Sequence, residues 1–306
     1  MRTPIAIGLI AVYAACYVAI EVGLAYAPPL TFAGSRLVIG GAALLGLLAM
    51  RRQPLMPSRR LWPWVLLLAL AASAAAYGAM FASPGRTGAG IASVLGNLQP
   101  LFVTGLAALV LGERISPADW ATLALGALGA VFIASPALRE RTGEGLVGPL
   151  LALSASLGFA AGSIVINRIE PGSELLAVTG WQLLVGSLPL LAAGALFERG
   201  TPVRWTANYV AVLLFLALPG TALATAVWYW LVQAGSVGRL SLLFFLVPVF
   251  GLALAVAVFG EAIDGAKAAG VTLVVAGIGV TLAQAALGTR TAEPAARAPH
   301  RGARPG

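Results

Sequence analysis

Polar side chains inside long apolar runs are the residues of this chain that could do chemistry. Glu21 is the acid that lies well inside such a run. A buried carboxylate can exchange protons as its surroundings change, or it can balance a cationic group on a bound molecule. It can also lie near the membrane surface, reach water, or pair with Arg36 on the next apolar segment. Both interpretations of Glu21 stay open at this point.

Arg36 and Gln182 lie early in two other apolar runs. An arginine there could bind the carboxylate of a substrate, or it could brace the helix end and extend its charged head outward. We favour the bracing role for Arg36. Gln182 is a candidate for the substrate pathway, together with Trp181 beside it.

Asn97 and Gln99 flank Pro100 in the run NLQPLFVTGLAALVLGE, and Tyr77 lies on the preceding apolar segment. Proline lacks a backbone N–H, so it frees a carbonyl about one turn earlier. That carbonyl and the neighbouring amides could coordinate a polar substrate. Alternatively, Pro100 makes a helix kink whose carbonyl is satisfied internally.

Aromatic residues form a second group of pathway candidates. Trp228 and Tyr229 lie deep in an apolar run, although aromatic residues also form belts at membrane surfaces. Phe244 stands among apolar residues where the first half of the chain has Asn97 and Gln99, which predicts a site that is polar on one side and aromatic on the other. Weaker candidates of the same kind are Ser163 and Asn167.

Glu113 and Glu261 each follow a glycine at the end of an apolar run. They could be catalytic acids, but their place beside short loops favours helix capping or a salt bridge such as one with Arg114. We predict structural roles for both, and for Pro100 and Pro248 as residues that shape or hinge their helices.

The composition indicates an all-α integral membrane protein. Hydrophobic residues make up 59% of the 306 residues and charged residues 10%, whereas soluble domains carry about 25% charged residues. A spanning helix needs roughly 20 apolar residues. The predicted spans are approximately 5–25, 31–50, 62–82, 89–111, 118–135, 146–167, 174–196, 208–232, 237–259 and 266–287.

The scarcity of some residue types argues against several classes of function. There is one cysteine, and the one histidine lies at position 300, in the polar tail. No Gly-rich loop ends in Gly-Lys, which argues against ATP-driven pumping. We therefore expect no cofactor, no metal site and no catalytic residues. The net charge of +8 suggests basic cytoplasmic loops rather than a nucleic-acid partner.

The run containing Pro100 is repeated 148 residues later, where FLVPVFGLALAVAVFGE carries Pro248 and Gly260-Glu261. The chain is therefore interpreted as a duplication: one five-helix repeat at 1–145, a second at 146–288 and a disordered basic cytoplasmic tail at 289–306. Because five is odd, the second repeat enters the membrane with the opposite orientation. Inverted-topology repeats are typical of secondary transporters.

Both halves resemble the EamA family of the drug/metabolite transporter superfamily. The resemblance is carried by YAACYVAIEVGLAYAPPLTFAGSRLVIGGAALL and by GIASVLGNLQPLFVTGLAALVLGERISPADWATLALGALGAVFIA. It implies a ten-helix carrier that exports amino acids, other metabolites or drugs. We accordingly expect a secondary active exporter that works by alternating access and is not an enzyme. The alternative is a polytopic membrane enzyme acting on a lipid or isoprenoid substrate.

The placement of basic residues predicts the orientation. If both termini lie in the cytoplasm, twelve arginines fall on the inside and six basic residues on the outside, as the positive-inside rule favours. The expected location is the cytoplasmic (inner) membrane of a cell. The expected partners are a small-molecule substrate, the lipid bilayer and, in a homodimer, a second copy of the chain.

Overall fold

The computed structural model describes residues 2–83, 95, 96, 98–133, 135, 146–233, 235–259 and 263–292. Within these residues every regular element is a helix. We number the helices in chain order: α1 Arg2–Leu24, α2 Pro29–Met50, α3 Arg59–Ala82, α4 Gln99–Leu111, α5 Pro117–Ile133, α6 Val147–Ile169, α7 Leu175–Phe197, α8 Ala207–Val232, α9 (Val237–Ser241, a 3₁₀ turn Leu242–Phe245, and Leu246–Phe259) and α10 Gly265–Ala292.

The lengths of these helices fit a membrane protein. Seven helices of the described residues are long and apolar enough to cross a bilayer, and α4, α5 and α10 contain shorter apolar helices. Large apolar side chains such as Leu109, Phe197 and Leu223 are exposed on the outside, which lipid tolerates and water does not. The protein is an all-helical, multi-pass membrane protein.

Local sequence signals explain where several helices begin. Pro29 opens α2, and proline is tolerated there because the first helical N–H needs no intrahelical partner. The Thr206 hydroxyl accepts from the Tyr209 N–H at 3.2 Å at the start of α8. Ser116 and Asp119 cap α5 reciprocally, since each side chain accepts from the other's backbone N–H, at 3.1 and 2.9 Å.

Three helices contain a π-helical segment, in which one extra residue is inserted into a turn. These segments are Ala69–Ala75 in α3, Ala107–Leu111 in α4 and Leu218–Leu223 in α8. The π-helical turns of α3 and α8 occupy equivalent places in the two halves of the sequence. Such turns widen a helix locally and turn side chains towards neighbours that a regular helix would not reach.

Two helix pairs cross with almost no side chain between them. A Cβ atom on Gly41 of α2 would lie 2.8 Å from the Gly180 carbonyl oxygen of α7. A Cβ atom on Gly129 of α5 would lie 2.7 Å from the Gly270 carbonyl oxygen of α10. Small residues at such crossings let backbones approach closely, which drives helix association in lipid. Each pair joins a helix to its counterpart in the other half.

Candidate functional site

A cavity of about 90 Å³ lies in the interior of the helix bundle. Since one water molecule needs roughly 10–15 Å³ on this scale, the cavity has room for a small organic molecule. Its walls come from α1 to α4 and from α6 to α9, so both halves of the chain contribute. Its lining includes seven of the predicted pathway residues: Arg36, Tyr77, Gln99, Gln182, Trp228, Tyr229 and Phe244.

Arg36 is held inside the bundle rather than extended to its surface, with 2% of its area exposed. Its Nε donates to the Thr221 hydroxyl at 2.5 Å, and its Nη2 donates to the Gly220 carbonyl oxygen at 3.1 Å. The guanidinium carbon lies 5.1 Å from the centre of the Tyr77 ring, within the range of a cation–π contact. The Nη1 atom is buried and has no hydrogen-bond partner.

Gln182 makes the equivalent connection from the second half. Its Nε2 donates to the Ser73 hydroxyl at 3.1 Å and to the Tyr229 hydroxyl at 3.0 Å. Ser73 and Thr221 lie in the π-helical segments of α3 and α8, 148 residues apart. The Oε1 atom of Gln182 is buried without a partner. Two side chains that line the cavity therefore each have one buried atom without a partner, a donor on Arg36 and an acceptor on Gln182.

Aromatic rings form one wall of the cavity. The Trp228 and Phe244 rings meet edge to face with centroids 4.7 Å apart, and Tyr13 lies 5.4 Å from Phe244. Ser163 is one layer behind, where its hydroxyl accepts from the Trp228 indole N–H at 2.8 Å. That bond fixes the indole, so Ser163 contacts the wall rather than the cavity.

Pro100 occupies the first turn of α4. A proline there removes no helical hydrogen bond, because the first-turn N–H groups have no partner within the helix. The Ser156 hydroxyl on α6 lies 2.9 Å from the carbonyl oxygens of both Leu95 and Gly96, just before α4. Gln99 and Ser156 both line the cavity, so the start of α4 and the facing part of α6 bring polar groups to its wall. Asn97 lies outside the described residues.

Three other predicted residues do not line the cavity. Glu21 has an exposed side chain one turn before the end of α1. Asn167 donates to the Val232 carbonyl at 2.6 Å and ties α6 to the end of α8. Trp181 points to the surface, where its indole N–H donates to the Leu55 carbonyl at 2.9 Å. Arg36 bonds to α8 and forms no ion pair with Glu21.

Glu113 connects the end of α4 to the start of α9. Gly112 ends α4 with φ = 68°, a backbone conformation that favours glycine. The Glu113 carboxylate accepts from the Val237 N–H at 2.8 Å, the Gly238 N–H at 3.1 Å and the Ser236 hydroxyl at 2.6 Å. Pro248 lies in the first turn of the α9 segment Leu246–Phe259. Glu261 lies outside the described residues.

The family model of the EamA-like transporters matches this sequence twice, over residues 4–135 and 146–283. The chain belongs to the EamA-like transporter family. The predicted resemblance to that family is confirmed, and the membership makes the protein a membrane transporter.

Relatives of this EamA-like chain carry transporter names. The "Probable amino-acid metabolite efflux pump" of Salmonella typhimurium is 28% identical over 283 residues, covering 90% of this chain and 92% of the relative. The "Uncharacterized transporter YvbV" of Bacillus subtilis is 29% identical and covers 84% of each chain. A solved crystal structure is 22% identical with a TM-score of 0.79, covering 92% of this chain and 98% of that one. It establishes the fold.

Several cavity residues of this EamA-like protein escaped the sequence analysis. Tyr13, Cys16, Tyr17 and Ile20 of α1 all line the cavity, and they are spaced as one face of a helix. Ser156 and Thr225 also line it. Helical spacing could have identified the α1 face, but Ser156 carries no signal, because its partners are the carbonyls of Leu95 and Gly96, about 60 residues away in the chain. Among the described side chains, no three or more His, Cys, Asp or Glu residues come together as metal ligands.

Proposed function

We propose that this protein is a secondary carrier that exports a small metabolite, such as an amino acid, a related compound or a drug, by alternating access. The observation that carries the proposal is the cavity to which both halves contribute, with walls from α1 to α4 and α6 to α9. Substrate sites of secondary transporters lie where repeats meet. The cavity is the proposed substrate site.

The arrangement of the halves supports inverted repeats. Equivalent helices pack against each other in the pairs α2–α7 and α5–α10. The bond from Arg36 to Thr221 is matched by the bond from Gln182 to Ser73. Two equivalent halves related in this way can exchange conformations, which would supply the inward-open and outward-open states. We propose ten spans with both termini in the cytoplasm.

The same proposal includes the direction of transport, the membrane in which the protein lies and the residue that couples transport to a gradient. Relatives named as amino-acid metabolite efflux pumps support export, and the excess of arginine in the proposed inner loops supports the cytoplasmic membrane. Glu21 is the coupling candidate, although its carboxylate lies outside the cavity. A homodimer is a separate proposal, since residues of one chain build the cavity.

Reconstituted transport tests the carrier. The full chain would be placed in proteoliposomes and assayed with a panel of labelled amino acids, related metabolites and drugs, with and without a pH gradient. Ala155 lines the cavity, so Ala155→Phe should fill it and abolish transport. Ala211 is exposed on α8, so Ala211→Phe is the matched control and should keep the wild-type rate. If no solute moves under any gradient, the carrier proposal is wrong. If Ala155→Phe transports normally, the cavity is not the pathway.

A further inference from the structure

Arg36 carries a positive charge inside the bundle that no described acid balances. A guanidinium stays protonated in proteins, and moving one out of water without a partner costs several kcal/mol. Arg239 differs from Arg36 in both respects, because its side chain is exposed and pairs with the Asp119 carboxylate at 3.6 Å. Arg36 instead bonds to a hydroxyl and a carbonyl, which are neutral, and its Nη1 bonds to nothing.

The second half shows that the scaffold does not need this charge. Gln182 reaches the hydroxyl of Ser73 as Arg36 reaches that of Thr221, and it does so with a neutral amide. A connection between the second helix of one half and the π-helical turn of the other can therefore be made without burying an ion. The guanidinium also faces the rings of Tyr77 and Phe81, which attract a cation but carry no negative charge, so Arg36 is left without a counter-ion among the described residues.

The other residues that line the cavity limit the kind of ligand that could bind at Arg36. Arg36 is the one charged side chain among the lining residues that the structure describes. Tyr13, Trp228 and Phe244 form an aromatic wall, and Gln182, whose Oε1 is buried without a partner, also lines the cavity. A volume of about 90 Å³ admits one small ring with a short chain.

We propose that the cavity binds a small organic monoanion, with its carboxylate on Arg36 and an aromatic or similarly flat apolar body against the ring wall. A carboxylate matches the fork of N–H donors on a guanidinium, and a single negative charge neutralises the single positive one. An N–H or O–H donor on the ligand fits Gln182 Oε1. No acid lines the described wall, so a free ammonium group has no counter-charge there. The proposal deepens the proposed function, because it names the chemical class of the carrier's substrate.

Four probes that share a hydroxyphenyl ring test the charge preference. Binding of 3-(4-hydroxyphenyl)propionate, its primary amide, tyramine and tyrosine would be measured by isothermal titration calorimetry on the full chain in detergent. The acid should bind about tenfold more tightly than the amide, which corresponds to one charge-assisted interaction, and more tightly than tyramine or tyrosine. Equal affinity for the acid and any of the other three probes, or no binding of any probe at millimolar concentration, overturns the proposal.

Substitution of Arg36 tests where the carboxylate binds. Arg36→Gln copies the arrangement of Gln182 and Ser73, so the variant should fold, and its affinities for acid and amide should become equal within about twofold. Arg60→Gln, the same change on an exposed residue in the first turn of α3, should keep the wild-type preference. Arg36→Lys should retain part of the preference for the acid over the amide. If Arg36→Gln keeps the full preference, the carboxylate does not bind at Arg36.

The two proposals fail in different ways. A clear preference for the acid in binding, with no movement of any solute in proteoliposomes, would contradict the carrier and leave the anion site standing. Transport of neutral or cationic solutes that is insensitive to Arg36→Gln would contradict the anion site and leave the carrier standing.

Discussion

Arg36 donates from Nε to the hydroxyl of Thr221 at 2.5 Å and thereby joins α2 of the first half to the π-helical turn of α8 in the second. Gln182 joins α7 to the π-helical turn of α3 in the same way, through Ser73 at 3.1 Å. Each half thus reaches into the widened turn of the other. The two bonds are equivalent in position and differ in charge, which gives the cavity one cationic side and one neutral side.

Removing the Thr221 hydroxyl should destabilise the protein more than removing that of Ser73. Thr221→Val leaves the charged Nε of Arg36 buried and unpaired, with an expected loss of about 2–3 kcal/mol. Ser73→Ala removes a neutral partner and should cost about 1 kcal/mol. Thermal unfolding of the purified variants in one detergent measures both. Equal losses would mean that the charge of Arg36 is compensated elsewhere.

Tyr229→Phe should weaken substrate binding without unfolding the protein. The Tyr229 hydroxyl accepts from Gln182 at 3.0 Å and lines the cavity, so its removal disturbs the amide that faces the substrate. We expect KM for transport to rise about two- to tenfold, as for one lost hydrogen bond.

Tyr209→Phe is the matched control for that change. Tyr209 is buried away from the cavity, and its hydroxyl has no hydrogen-bond partner. KM should stay at the wild-type value in Tyr209→Phe. A similar rise of KM in both variants would show that the effect of Tyr229→Phe does not come from the cavity.

Gly41→Ala should separate α2 from α7. The added Cβ atom would lie 2.8 Å from the Gly180 carbonyl oxygen and 3.0 Å from the Leu184 backbone nitrogen, and backbone cannot rotate away. The expected cost is about 1–3 kcal/mol, as for other overpacked sites. Gly46→Ala on the same helix meets nothing within 4 Å and should be neutral or slightly stabilising. The melting temperatures of the Gly41→Ala and Gly46→Ala variants measure this difference in stability. Equal melting temperatures would rule out a tight crossing at Gly41.

Glu113→Ala should loosen the junction between α4 and α9. The variant loses the acceptor for the Val237 and Gly238 N–H groups at the start of α9, with an expected cost of about 1–2 kcal/mol. Glu113→Gln keeps one acceptor oxygen and should lose less stability. Hydrogen–deuterium exchange of residues 236–240 would rise in Glu113→Ala. Unchanged exchange there would mean that water replaces the carboxylate without loss.

Glu21→Gln separates proton coupling from substrate movement. Glu21 does not line the cavity, so exchange of labelled for unlabelled substrate across the liposome membrane should continue in the variant. If Glu21 is the coupling acid, accumulation driven by a pH gradient should be abolished at the same time. Accumulation at the wild-type level would end the coupling proposal for this residue.

Composition and motif spacing determined the class of protein, because both follow from chemistry that is local in the chain. Few charges and long apolar runs require a lipid environment whatever the helix packing. The doubled proline and Gly-Glu pattern located the two halves, and the family model matches the same two regions. Seven of the twelve pathway candidates line the cavity, because polar and aromatic groups within apolar helices tend to face the interior.

The functions of individual polar residues depended on contacts between distant helices. Arg36 was expected to brace a helix end and extend outward, yet it lies buried against α8, since the π-helical turn presents the Thr221 hydroxyl and the Gly220 carbonyl to it. Glu113 was expected to cap its surroundings or pair with a nearby arginine, and the N–H groups that donate to its carboxylate lie 124 and 125 residues away on α9. No local pattern encodes such partners.

The sequence by itself determined that this is a helical membrane transporter, since hydropathy and the family motifs are properties of the chain order. Only the tertiary structure decided which polar atoms end without a partner. The unpaired Nη1 of Arg36 and Oε1 of Gln182 result from where α2, α3, α7 and α8 meet. Hydrogen-bond satisfaction is a property of three-dimensional neighbours, so no pattern along the chain could identify those two atoms.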